Sequence, residues 1–336
     1  MAFPIQFFFF FFVLLSWIIC SCHAGNGSIR ATWLPVSYKQ GDEATVQELL
    51  NSLKEIGITR VYVDVWNQGT VYFNSPTMMA LLPDGTGVGN DHLKWTLNAA
   101  SNVGIEVYAW FEYGLIAAYG GINNAFAKVA TDKGWILGQE GQGFVWMDPD
   151  NQDVLTFLSG IMGDAWMEYS SLGLKGLQLD DHFASPVSLG KNFTSMNNAM
   201  EYVRKYLLAQ KDTEGKVPIL SLSPSTLSQA TQSYNVDWNM WGNEHLYDEV
   251  IPQLYRSDYQ SFKSIFDQTM RQISRVTMSY FTISGIRVDG SGDVTPWEDV
   301  SESIEYAASF GVESCIWYAH GIVEVYPEQF TQLWGE

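Results

Sequence analysis

Basic residues are scarce in this chain. Eighteen Lys and Arg stand against 37 Asp and Glu in 336 residues, a formal charge of −19. Such a surface repels phosphate backbones and anionic headgroups, which argues against nucleic acid or an acidic membrane as partner. Cysteine is scarcer still. Cys20 and Cys22 lie in the N-terminal apolar segment, so Cys315 is left alone in a mature chain. With no intrachain disulfide available, a hydrophobic core has to hold the fold. No proline-rich linker, low-complexity stretch or charge block divides the chain. A glycine-rich phosphate loop after the first strand and a Gly-x-Ser-x-Gly elbow are also missing, which disfavours dinucleotide binding and serine nucleophile chemistry.

One long apolar run is present. Phe7–Ile19 contains six consecutive Phe, is short for a membrane span and sits where a secretory signal places its hydrophobic region. The segment before it carries no Lys or Arg, so only the amino terminus supplies positive charge. Small residues at Ala24 and Gly25 offer a cleavage site. The expectation is a signal peptide over 1–24, one domain over 25–336 and a secreted, extracellular protein with no membrane contact after cleavage. Asn26-Gly27-Ser28 and Asn192-Phe193-Thr194 are glycosylation sequons if the secreting cell is eukaryotic.

Short β-branched runs alternate with helical patterns along the remainder. Strands are expected at Ile29–Trp33, Arg60–Trp66, Ile105–Phe111, Gly176–Asp180, Pro218–Leu222, Val250–Leu254, Met278–Ile283 and Ser314–Tyr318. Helices are expected at Thr45–Ile56, Asp91–Val103, Asn151–Tyr169, Asn197–Leu208, Tyr259–Arg275, Pro296–Phe310 and Pro327–Trp334. Gly57 and Gly104 stand where helices should stop. Eight strands with helices between them predict an α/β fold, a single (β/α)8 TIM barrel.

The strands also carry a period-two signal. Val61, Val63 and Val65 share one face of the second strand, with Tyr62, Asp64 and Trp66 on the other. Val107, Ala109 and Phe111 alternate with Tyr108, Trp110 and Glu112, and Leu177 and Leu179 alternate with Gln178 and Asp180. If the apolar sets face the helices, Asp64, Glu112 and Asp180 converge on the barrel mouth. Gly176–Phe183 concentrates this pattern: a buried strand that ends in Asp180, Asp181 and His182, at the strand end where such folds place chemistry. Paired carboxylates there raise one another's pKa.

Blander assignments accompany each residue. Asp64 and Glu112 suit buried partners of a barrel Arg such as Arg30, Asp148 suits the cap of the helix that follows it, and an Asp-Asp pair suits a turn. Thirteen Trp and 17 Tyr exceed core needs, so Trp66, Trp110 and Trp317 are candidate sugar platforms. His182 is a candidate ligand, a donor to a sugar hydroxyl, or packing. Asp180, Asp181 and His182 make a poor metal cage without further His or Cys, and no metal or cofactor is expected.

Five phrases in order resemble a known family: YAWFEYG at 108–114, VWMDPDNQDV at 145–154, GLQLDDHF at 176–183, SLSPS at 221–225 and VIPQLY at 250–255. They are similar to glycosyl-hydrolase-like family 10, most of all to its cyanobacterial-type subset. The resemblance implies a (β/α)8 barrel, a carbohydrate polymer or oligosaccharide as partner and hydrolysis of glycosidic bonds, with an amino-sugar glycan among the candidates. It also implies roles for Asp180 and Asp181 as the paired carboxylates after the fourth strand. Glu112 matches the polar position after the third, which is Asn in much of the wider family, and Gln253 and Tyr255 match the pair lining the mouth from the sixth. The fifth strand ends in Ser223-Pro224, without a carboxylate.

Glycosidic hydrolysis needs one carboxylic acid to protonate the leaving oxygen and one carboxylate to attack or to activate water. Asp180 as nucleophile or cation stabiliser, with Glu112 or Asp181 as acid and base, meets that need. Asp64, Trp66, Trp110, His182, Gln253, Tyr255 and Trp317 complete the expected substrate-binding set. The alternative is a non-catalytic carbohydrate-binding TIM barrel, which would keep the same aromatics and acceptors. A polysaccharide lyase or deacetylase is the third class.

Overall fold

A computed structural model of the chain describes residues 29–38, 41–141, 143–274, 281–288 and 294–335. The expected signal segment and the sequon at Asn26 lie outside the described residues. Eight strands carry the architecture: β1 Arg30–Leu34, β2 Arg60–Asp64, β3 Glu106–Phe111, β4 Leu174–Asp180, β5 Ile219–Ser223, β6 Glu249–Val250, β7 Phe281–Ile286 and β8 Glu313–Ile316. They pair in parallel, and β8 closes on β1 to make a barrel. The helices α1 Glu43–Ile56, α2 His92–Val103, α3 Gln152–Tyr169, α4 Phe193–Ala209, α5 Leu227–Tyr234, α6 Tyr259–Ser274, α7 Trp297–Ser309 and α8 Pro327–Trp334 follow the strands in turn.

Helix boundaries follow local chemistry. Asp42 accepts the Thr45 amide at the start of α1, and Gly57 ends it at φ 97°. At that angle an L side chain is strained, and a Cβ would also collide with the Trp334 carbonyl at 2.2 Å. Asn151 caps α3, and Asp148 does not. Asp148 instead accepts the Asp150 amide and pairs with Lys191 at 2.6 Å, because Pro149, Asp150 and the cap residue Asn151 separate it from the first helical residue, Gln152.

Side-chain alternation divides the core in two. Val61, Val63, Val107, Ala109, Phe111, Leu177 and Leu179 pack outward against the helices. Ala31, Trp33, Tyr62, Tyr108, Trp110, Ile251, Ile283 and Cys315 fill the barrel. Polar groups inside are tied to one another, as buried polar atoms must be. Arg60 on the floor pairs with Glu249 at 2.5 Å and Glu106 at 2.8 Å, and lies over the Tyr108 ring. Glu249 accepts from Tyr62 and Ser221, Ser221 accepts from Gln178, and Gln178 accepts the Trp33 indole at 2.7 Å.

Several elements depart from expectation. β6 keeps only two ladder residues because Pro252 has no N–H to donate, although Gln253 still bridges Gly285. Beyond β2 the chain makes a hairpin, Trp66–Asn67 against Thr70–Val71. Beyond β3 it adds a three-stranded antiparallel sheet from Ile116–Tyr119, Ile136–Gln139 and Phe144–Met147. A short helix, Trp238–Asn243, precedes β6. Among the described residues no helix is long and apolar enough to cross a membrane.

Candidate active site

Asp64, Glu112 and Asp180 follow inward-facing residues by the strand period: Tyr62, Trp110 and Gln178 respectively. The β3–β4 register pairs Phe111 with Leu179, so one further step sets Glu112 beside Asp180 at the C-terminal rim. This is the rim where barrel folds place their chemistry.

Asp180 is 9 % exposed and surrounded by donors. Oδ1 accepts from the Gln253 amide at 2.7 Å and from the Asp181 backbone at 2.9 Å. Oδ2 accepts the Trp110 indole at 3.0 Å, which leaves it one lone pair for a ligand. Gln253 is held in turn by the Ser223 carbonyl at 3.0 Å. Burial lifts the Asp180 pKa well above the carboxylate range, and the charges of Asp181 and Glu112 add to this. The Asp181 amide and the Trp110 indole pull it down again.

Glu112 sits in the turn after β3. Gly114 makes that turn possible at φ 44°, where its missing Cβ lets the His182 backbone approach. Leu115 donates to the His182 carbonyl, and His182 Nδ1 lies 3.0 Å from the Glu112 carbonyl oxygen. The His182 ring packs among Tyr113, Phe144 and Trp146. His182 therefore orients the Glu112 turn, with Nε2 3.9 Å from Asp181.

Asn67, absent from the expected set, joins two of the carboxylates. Its Nδ2 lies 2.8 Å from Asp64 Oδ2 and 2.5 Å from Glu112 Oε2. The hairpin fixes it there, since Gln68 and Gly69 both take positive φ as a tight two-residue turn requires. The Asp64 and Glu112 carboxyls, bridged by that one amide nitrogen, also act on one another electrostatically. Burial pushes Asp64 up to about 7 against the pull of Glu112, Asn67 and two backbone amides. Burial, then the Asp64 charge, raises Glu112 well above its ordinary value, and His182 and Asn67 oppose the rise.

Two expectations need correction. Trp66 is fully buried outside the barrel, edge-on to Phe126 and Phe157, with its indole on the Gly114 carbonyl at 3.2 Å. Alternation from Tyr62 stops at Asp64 because the hairpin begins there, so Trp66 offers no face to a sugar. Asp64 has no exposed surface either and lies behind Glu112 and Asn67. Arg30 pairs with neither carboxylate among the contacts described; its guanidinium donates to the Trp334 carbonyl. Trp110 is 3 % exposed and serves Asp180 as a donor.

An open cavity of about 430 Å³ lies over Asn67 and Glu112, walled by Tyr38, Tyr113, Tyr318 and His320. Tyr255 and Trp317 stack on one another at 4.7 Å near it, both half-buried. Tyr318, at φ 57°, reaches from Trp317 toward Trp110. Asp180 and Asp181 border a separate crevice of about 10 Å³ beside Phe183 and Trp241. Among the described residues no group of three or more His, Cys, Asp or Glu is placed to hold a metal ion.

The family described as Glycosyl hydrolase-like 10 matches residues 28–218. No curated protein sequence matches the chain. Among solved structures, the glycoside hydrolase domain of PgaB (BpsB) from Bordetella bronchiseptica is similar at 12 % identity and TM-score 0.63, covering 91 % of this chain and 97 % of that one. The GH36 α-galactosidase AgaA from Geobacillus stearothermophilus is similar at 12 % identity and TM-score 0.56, covering 91 % and 41 %. The α-L-fucosidase isoenzyme 2 from Paenibacillus thiaminolyticus is similar at 11 % identity and TM-score 0.55, covering 92 % and 50 %. At such identities these likenesses concern the fold.

Proposed function

The chain belongs to the glycosyl hydrolase-like 10 family, and from that premise we propose that it hydrolyses glycosidic bonds of a polysaccharide, with Glu112 as acid and base and Asp180 as nucleophile. One observation carries the reading. Two carboxyls at neighbouring strand ends sit in opposite surroundings: Glu112 is bridged by Asn67 to the buried Asp64 carboxyl, and Asp180 accepts from three N–H donors. Two buried carboxyls within reach of one amide favour keeping a proton, whereas three donors favour an ionised oxygen pair. With the proton on Glu112 its charge no longer adds to the burial and the Asp181 charge that raise Asp180, and the three N–H donors favour the ionised form of Asp180 that attack requires.

Glu112 protonates the leaving oxygen while Asp180 Oδ2 attacks the anomeric carbon, forming a glycosyl–enzyme ester. Glu112, now a carboxylate, takes a proton from water, which attacks the same carbon and frees Asp180. Asp181 tunes Asp180 through its backbone donor and its charge. Tyr255, Trp317 and Tyr318 supply ring faces for the sugar, and an amino-sugar glycan is the candidate polymer. The apolar run Phe7–Ile19 supports secretion, and the exposed sequon at Asn192 supports a glycan there if the host is eukaryotic.

A panel of polysaccharides, including chitin-type and denuded peptidoglycan glycans, tests the reading. New reducing ends that vanish in Asp180→Asn are expected. An unsaturated sugar, free acetate, or binding without product would each replace hydrolysis, with a lyase, a deacetylase or a lectin respectively.

A further inference from the structure

Asp64 is a buried ionisable group that the mechanism above leaves without a task. A carboxyl with no solvent contact is costly to keep, so its surroundings matter. Asn67 presents its amide nitrogen to Asp64 and Glu112 together. One amide nitrogen within hydrogen-bond distance of both sets the two buried carboxyls close together, where their like charges oppose each other. Neighbouring buried carboxyls cannot both ionise cheaply, so the pair favours holding a proton.

We infer that Asp64 is a positioning residue: its buried carboxyl, bridged to Glu112 through Asn67, keeps on Glu112 the proton that Glu112 hands to the leaving oxygen. The inference rests on the hydrolase reading for its catalytic consequence. When the proton leaves, both carboxylates are ionised and buried. The two N–H groups on Asn67 Nδ2 then have an acceptor each and offset the repulsion between them. The water that completes the reaction returns the proton to Glu112, and the pair again holds one proton.

The groups facing the pair are consistent with storage. Asp180, at the end of β4, and the Tyr113 and Tyr318 hydroxyls all interact electrostatically with Glu112. Tyr72 faces Asp64. His182 and the Asn67 amide are the neighbours that favour the ionised form of Glu112. Burial drives both carboxyls upward, Asp64 to about 7.

Two variants give shifts of opposite sign. Asp64→Asn removes the charge and the acceptor that hold the proton, so the alkaline limb of the kcat/KM profile should move to lower pH. At the wild-type alkaline edge this should read as about a tenfold loss. Asn67→Ala removes a donor to both carboxylates, so the limb should move to higher pH. Limbs that stay in place while KM rises would make Asp64 and Asn67 structural or binding residues and overturn the inference. If Asp64→Asn does not fold, the limb in Asn67→Ala decides alone. Infrared titration of the substrate-free protein separates this inference from the hydrolase reading. A protonated carboxyl band at neutral pH, lost at lower pH in Asp64→Asn than in the wild type, supports the stored proton even if no glycan is cleaved. No such band in the wild type refutes it, whatever the activity.

Discussion

Asp180 and Glu112 are both carboxyls at the end of a barrel strand, and they differ in what surrounds them. Asp180→Asn keeps the size and loses the charge, so the fold should persist while kcat falls by about 10⁴ or more. Glu112→Gln should cost about 10²–10⁴ in kcat/KM on a natural glycan and far less in kcat/KM on an aryl glycoside, whose leaving group needs no proton. Steady-state kinetics with both substrates checks the division; equal losses on the aryl glycoside would contradict it. Asp64 carries a stability consequence too. Unfolded, it loses its proton near the ordinary 3.8; folded, it keeps it until about 7. Folding therefore binds a proton between those values, and stability falls as pH rises through that window, by an amount on the order of a few kcal/mol. Asp64→Asn should raise Tm at pH 8 relative to wild type and change it little at pH 4. A uniform offset at both pH values would show that the cost of Asp64 is not electrostatic.

At the scale of elements, the site depends on turns that follow β2, β3 and β4. Gly114 joins two of them, since its open side admits the His182 backbone at distances no Cβ tolerates. Gly114→Ala would face backbone atoms at 2.6 Å in a left-handed conformation. It should push the Glu112 turn away from the β4 end, lowering kcat by about a hundredfold, as misplaced reacting groups do. The expected signature is a large kcat loss with a modest Tm decrease, read by kinetics alongside calorimetry. Unchanged kcat would mean that the turn does not set the position of Glu112.

The whole molecule sets the geometry of the reaction. Neighbouring strands lie about 4.8 Å apart, and β3 and β4 are neighbours, which brings Glu112 and Asp180 toward the separation of roughly 5–5.5 Å associated with retention. NMR of the first-formed anomer should show the starting configuration. Initial release of the inverted anomer would remove Asp180 as nucleophile and bring forward Asp181 as the water-activating base. The barrel floor is expected to be separable from this chemistry. Arg60→Met strands Glu249 inside the barrel without a cation and should cost about 3–5 kcal/mol in denaturant unfolding. The protein that remains folded should keep the wild-type rate on any glycan that the wild type cleaves.

Local periodicity was enough to determine the architecture. Alternating valines and aromatics on β2 and β3, the Leu-Gln-Leu-Asp run of β4 and glycines at helix ends act over a few residues, and eight such units predict a barrel over an open doubly wound sheet, which the pairing of β8 with β1 closes. The same alternation legibly placed Asp64, Glu112 and Asp180 on one face, because side-chain direction follows from the strand itself. What followed the strand ends was decided by tertiary structure. Trp66 has the parity of Asp64, yet the hairpin that starts there turns it out of the barrel. Asn67 lies in no motif and matters only because β2 and β3 are adjacent, so that one amide reaches both Asp64, three residues before it, and Glu112, 45 residues after it. Tyr318 and Ser223 are in the same position: what each does depends on residues brought beside it from other strands. Sequence pattern fixes which way a side chain points; which charges it meets, and so which carboxyl keeps a proton, depends on distances that exist only once the barrel has closed.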